Sequence, residues 1–165
     1  MTGTSAGRPL WVPFAALAAA IVVVDQVTKA WIVDALAPDR ELRLLGEYLR
    51  LVYTENSGAL FGLFRGQAAP FALLSLAVIG LIVGYHARSG RSPYMTLTLG
   101  LLLGGAVGNA IDRLRLGHVV DFVDGGIGGF RWYTFNVADA CISASIVLLL
   151  VMAIRPSLAR RRGDG

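Results

Sequence analysis

Asp121, Asp124 and Asp139 stand close together in the stretch "GHVVDFVDGGIGGFRWYTFNVADA", in a chain that otherwise reads as oil. Carboxylates near a bilayer are costly, so each needs a partner or a task. Two carboxyl groups that hold one proton between them can hydrolyse an amide: one activates water while the other protonates or polarises the carbonyl. Asp121 follows Val119 and Val120 and precedes Phe122, an apolar setting that disfavours its ionised form. Asp124 precedes Gly125 and Gly126 and reads as a solvated turn residue. Asp139 comes three residues after Asn136, where an apolar segment begins, so it fits a variant of the helix capping box as well as it fits catalysis. The two roles are compatible, because a helix N-terminus favours the ionised carboxylate. If Asp121 and Asp139 meet, they form an unequal pair that titrates as a unit.

Such a pair must be held by elements that suit a bilayer. Of the 165 residues, 55% are hydrophobic and only 16% charged, and the mean hydropathy of +0.62 points to an all-α polytopic membrane protein of one domain. A spanning helix takes roughly 20 apolar residues. Four segments qualify, at about 10–33, 68–86, 94–111 and 137–154, which puts both termini on one side. Cleavage of the first segment as a signal peptide near Ala20 would leave too little to span, so that helix is expected to be retained. With termini inside, the basic residues divide seven inside to eight outside. The inside ones crowd the span ends, notably in the tail 156–165 with Arg160, Arg161 and Arg162, and this favours cytoplasmic termini. The outer connection, 34–66, contains "ELRLLGEYLRLVYTE", in which apolar and charged residues nearly alternate. That predicts a small extracytoplasmic sheet between helices 1 and 2. "GGFRWYTF" can add a strand, although its aromatics Trp132, Tyr133 and Phe135 are read first as interfacial anchors.

Further polar residues lie within or beside the spans. Asp25 and Lys29 in "DQVTKAW" are one helical turn apart and can pair. Gly100, Gly104, Gly108 and Asp112 recur every four residues, a stripe that lets a neighbouring helix approach closely. The stripe leads to a polar cluster of Asn109, Asp112 and Arg113, and the last two are expected to end the helix and fix the loop by ion pairing.

These features exclude several functions. The one cysteine, Cys141, permits no intramolecular disulfide or cysteine-cluster metal site, and the two histidines form no HExxH pair, so neither metal nor cofactor is expected. The +4 net charge belongs to membrane flanks rather than to an interleaved basic and aromatic face, which argues against nucleic acid. A proton-coupled transporter would want acids spread through the membrane depth, whereas Asp25, Asp112, Asp121 and Asp139 gather towards one side.

Four blocks in order, "DQVTKAWI", "NSGALFG", "GGAVGNAIDRLRLGHVVDF" and "FNVADA", resemble the bacterial lipoprotein signal peptidases, also called signal peptidase II. The resemblance spans nearly the whole chain. It implies that Asp121 and Asp139 are the catalytic pair, and that Asp25, Lys29, Asn56, Gly58, Asn109, Asp112, Arg113, Asn136 and Ala138 line or support the site. It also implies four transmembrane helices in the bacterial cytoplasmic (inner) membrane, with the active site towards the extracytoplasmic surface under a sheet and a lid. The implied substrates are diacylglyceryl-modified prolipoproteins cut on the N-terminal side of the lipidated cysteine, and the implied inhibitors are of the globomycin type. A monomer surrounded by membrane lipid is expected. "RWYTFNVAD" lacks the proline that the family often carries before the second aspartate.

Overall fold

A computed structural model of the chain describes residues 8–57, 68–90 and 92–155. Among them are four helices: α1 (Trp11–Leu36), α2 (Ala68–Ser89), α3 (Pro93–Leu116) and α4 (Val137–Ile154). Four strands accompany them: β1 (Glu41–Arg43), β2 (Leu49–Asn56), β3 (Val119–Ile127) and β4 (Phe130–Arg131). α1, α3 and α4 are long and apolar enough to cross a membrane, and α2 carries a shorter apolar stretch, Leu73–Ser89. The faces of the helices are inverted relative to a water-soluble bundle. Val23, Val27, Leu73, Leu81, Val147 and Leu150 point outwards, while Asp25, Lys29, Asn109 and Asp112 are buried.

α3 lies at the centre because its small residues face two ways. A Cβ on Gly104 would come 2.7 Å from Ile21 Cβ, and one on Gly108 would come 2.6 Å from Asp25 Oδ2, so the glycine stripe is the surface on which α1 rests. One residue round the helix, a Cβ on Gly105 would meet the Ala138 carbonyl oxygen at 2.5 Å, so α4 packs on the adjoining face. In lipid no hydrophobic effect drives helices together, and close van der Waals packing through small residues takes its place. Proline at the start of α3 supplies a pre-set φ where no amide partner is needed. Gly117, at φ 78°, ends the helix in the left-handed conformation, its N–H donating to the Arg113 carbonyl at 3.2 Å. α3 thus continues beyond Asp112 and Arg113, which lie inside the helix rather than ending it.

The sheet is antiparallel in the order β1-β2-β3-β4 and sits at one end of the helices. It does not lie wholly between helices 1 and 2. β3 and β4 come from the connection between α3 and α4, and they complete a surface that the β1–β2 hairpin alone could not stabilise. The register pairs Thr54 with Asp121 and Arg50 with Asp124. It shifts between Leu51 and Thr54, so two residues of β2 oppose one of β3. Ile32 and Leu36 of α1 pack beneath Val120 and Phe122 of β3. A second apolar cluster, with Phe14, Ile82, Met95, Leu99 and Met152, packs the helices separately from that one.

Gly105→Ala places a methyl group against backbone that cannot swing aside, and it should lower stability by about 1–3 kcal/mol, read as a fall in the thermal unfolding midpoint in detergent. Gly84→Ala meets open space and should leave the midpoint unchanged or slightly raised.

Candidate active site

The site begins with a buried cation. Lys29 on α1 lies 2.8 Å from Asp25, one turn earlier, and 2.8 Å from Asp112 on α3. All three side chains are nearly free of solvent exposure. Two carboxylates against one ammonium leave a net negative charge, which fixed dipoles offset. The Ala138 amide in the first turn of α4 donates to Asp25 Oδ1 at 2.9 Å, and the Val120 amide of β3 donates to Asp112 Oδ2 at 3.2 Å. Gln26 donates to Asp112 Oδ1 at 2.9 Å and reaches the Gly108 carbonyl at 3.3 Å. Buried charge is tolerable only when it is paired and its remaining lone pairs are filled, and here α1, α3, α4 and β3 all contribute to that.

Lys29 also orients what lies beyond it. Its ammonium donates to Asn109 Oδ1 at 3.0 Å, and since a lysine has no acceptor the Asn109 oxygen must face it. The Asn109 NH₂ therefore points the other way, donating to Asp139 Oδ1 at 2.8 Å. Asn136 does the equivalent for the second acid. Its Oδ1 accepts the Asp139 amide at 2.9 Å, capping α4, while its Nδ2 donates to Asp121 Oδ1 at 2.6 Å and to Asn109 Oδ1 at 3.1 Å. The Asp139 carboxylate closes the capping box by accepting the Asn136 amide at 3.4 Å. Two asparagines bonded to each other thus hold two aspartates, one from a strand and one from a helix terminus.

The surroundings of the two acids differ. Asp121 is 1% exposed, and burial together with the neighbouring charge of Asp139 pushes it up to about 7, although Asn56 and Asn136 donate to it. Asp139 faces a groove of about 1160 Å³. Its lining includes polar side chains, Asn56, Asn109, Arg113 and Tyr133, and apolar ones, Phe71, Leu74, Val78, Ile142 and Ile146. Arg113 lies over the Phe71 ring, 6.0 Å from its centroid, with Nη1 3.4 Å from the Asn109 carbonyl. The volume and the mostly apolar lining suit a large, partly greasy ligand presented to a few polar groups. Among the described residues no group of three or more His, Cys, Asp or Glu side chains is placed to hold a metal ion.

The structure brings Asp25, Lys29, Asn56, Asn109, Asp112, Asn136, Ala138, Asp121 and Asp139 into one connected network, with Arg113 on the groove beside it. Gly58 lies outside the described residues, as do the tail 156–165 and the end of the 34–66 connection in which the lid is implied. Asp124 is not a solvated turn residue. It sits in β3, 6% exposed, its carboxylate accepting from Arg131 Nε at 3.0 Å and from Arg50 Nη2 at 2.6 Å. Burial works to raise it, but the Arg131 and Arg50 guanidinium groups outweigh that and hold it below the usual carboxylate range. The glycines that follow Asp124 belong to the strand, so they did not mark a turn. Arg113 makes no ion pair with Asp112, whose cation is Lys29. Gln26 was missed because a glutamine beside Asp25 carries no signal of its own. The contact between Tyr133 and Asn56 was equally hidden, since it joins β2 to a distant loop.

The signature of the family described as Signal peptidase (SPase) II matches residues 17–155. A lipoprotein signal peptidase of Methylobacterium sp. (strain 4-46) is 41% identical over 95% of this chain and 95% of its own. One of Syntrophomonas wolfei is 40% identical over 81% and 87%, respectively. Among solved structures, one bacterial membrane enzyme determined by the in meso method has a TM-score of 0.82 at 26% identity, covering 90% of this chain and 96% of that one. A second has the same TM-score at 24% identity and so shares the fold.

Lys29→Met leaves two buried carboxylates without their cation and should cost about 3–5 kcal/mol, seen as a large fall in the unfolding midpoint. The triple variant Asp25→Asn, Lys29→Met, Asp112→Asn removes all three charges together and should recover part of that loss.

Proposed function

The chain belongs to the signal peptidase II family, and from that premise we propose that it removes the signal peptide from diacylglyceryl-modified prolipoproteins as an aspartic endopeptidase. Cleavage falls on the N-terminal side of the lipidated cysteine. The observation that carries the reading is the Asn109–Asn136 bracket, which holds Asp139 and Asp121 together at the head of a large apolar groove. Asp25, Lys29, Asp112 and Ala138 support that bracket, Asn56 holds Asp121 from the sheet side, and Arg113 faces the substrate.

The two environments suggest the division of labour. Asp139, in the first turn of α4, acts as the base: it takes a proton from water, whose oxygen bonds to the scissile carbonyl carbon. Asp121, whose apolar strand keeps its proton, gives that proton to the carbonyl oxygen. The resulting diol collapses when Asp139 passes its proton to the cysteine nitrogen, the C–N bond breaks, and a hydroxyl proton returns to Asp121. The products are the free signal peptide carboxyl group and a lipidated cysteine with a free amino group.

In this reading α2 also crosses the bilayer, so the chain is one domain of four spans in the bacterial inner membrane. The termini are cytoplasmic, and the sheet and site lie towards the extracytoplasmic surface. The groove between α2 and α4 opens towards lipid, so the diacylglyceryl chains stay in hydrocarbon while the peptide meets water near the span ends. The enzyme works as a monomer and is inhibited by globomycin-type compounds, which compete for the groove.

Asp121→Asn and Asp139→Asn should each abolish cleavage of a diacylglyceryl-modified prolipoprotein while the protein still inserts; normal turnover by either variant would overturn the assignment. The pH dependence follows from Asp121. Its acid form prevails below about 7 and is the form that donates, so kcat/KM should decline as pH rises through that value. A rate profile that stays flat from pH 6 to 9, about two units past that midpoint, would contradict the assigned donor.

A further inference from the structure

Asp139 lines the groove, and Asn136 holds Asp121 beside it. The half-buried phenol of Tyr133 lines the same groove. One amide nitrogen, Asn56 Nδ2, donates both to the Tyr133 oxygen and to Asp121 Oδ2, the latter at 2.9 Å, so the phenol and the buried acid share a partner. Burial and the charges of Asp121 and Asp139 push the phenol up to about 12, which leaves its O–H in place at any physiological pH. A phenol that keeps its O–H can act as a hydrogen-bond donor as well as accept from Asn56.

The backbone carrying this group is fixed on both sides. The Trp132 amide donates to the Gly125 carbonyl at 2.7 Å, and Val123 and Phe135 exchange bonds of 2.8 and 3.1 Å. Asp124 adds the clamp on Arg131 described above, which gives that buried carboxylate a positioning duty. A donor held in place before substrate arrives costs no reorganisation when charge develops near it.

We propose that Tyr133 is a catalytic residue of this chain, its phenol donating a hydrogen bond to the scissile carbonyl oxygen that receives the proton of Asp121. The inference rests on the aspartic peptidase reading above. The phenol stays protonated throughout: it stabilises the oxygen while the water–carbon bond forms, and Asp121 supplies the proton.

The test is steady-state kinetics of wild type, Tyr133→Phe and Asp121→Asn on a diacylglyceryl-modified prolipoprotein, below the unfolding midpoint of each. The ring contacts survive in Tyr133→Phe, so kcat should fall about 10²-fold with KM within about twofold. Tyr133→His, which restores an N–H donor, should recover part of kcat, and Tyr133→Leu should not. An undiminished kcat in Tyr133→Phe, a change confined to KM, or equal kcat for the histidine and leucine variants overturns the proposal while leaving the peptidase assignment standing. Absence of cleavage by wild type, or normal cleavage by Asp121→Asn, overturns the parent reading instead. Tyr48→Phe, an exposed phenol on the sheet, is the control and should change neither constant.

Discussion

Lys29 is the interaction on which both the packing and the site depend. An ammonium without water must be surrounded by acceptors, and here they come from two helices, Asp25 on α1 and Asp112 on α3. That requirement sets how closely the helices approach, and Gly108, whose Cβ would strike the Asp25 carboxylate, makes the approach possible. The same ammonium turns the Asn109 carboxamide so that its NH₂ faces Asp139. The buried charge cluster and the Asp121–Asp139 pair are therefore joined by one side chain, and neither Asp25 nor Asp112 lines the groove.

The two aspartates differ because they rest on different kinds of backbone. Asp139 stands at the N-terminus of α4, where amides point towards it and where Asn136 and Asp139 satisfy each other's backbone N–H. Asp121 stands in β3 between buried Val120 and Phe122, and its polar partners are side-chain amides, from Asn56 and Asn136. A strand and a helix start, joined by one asparagine, give the two carboxyl groups different surroundings. The peptidase mechanism proposed above makes use of that difference, one group accepting a proton while the other gives one.

The sheet has a matching duty. Its register sets Thr54 opposite Asp121 and Arg50 opposite Asp124, so β2 delivers Asn56 to Asp121 and a guanidinium to Asp124. Asp121 and Asp124 are an odd number of residues apart in one strand, and alternation sends them to opposite faces. One acid reaches the helix interior, and the other is neutralised by Arg50 and Arg131.

What the sequence determined by itself were the features with short range. Apolar runs marked the long helices, the spacing of Asp25 and Lys29 marked an ion pair, the four-residue recurrence of glycine marked the seam for a neighbouring helix, and Asn136 with Asp139 marked a cap. In each case helical periodicity fixes which side chains meet, so counting residues is enough. The tertiary structure alone decided which helix fills the glycine seam, that Asp112 pairs with Lys29 rather than Arg113, that Gln26 bridges α1 and α3, and that Asp124 is buried. It also decided that half the sheet is drawn from the connection after α3, which carries Tyr133 to Asn56. These contacts join segments far apart in the chain. Their partners are chosen by how several surfaces fit at once, and no local spacing records that choice.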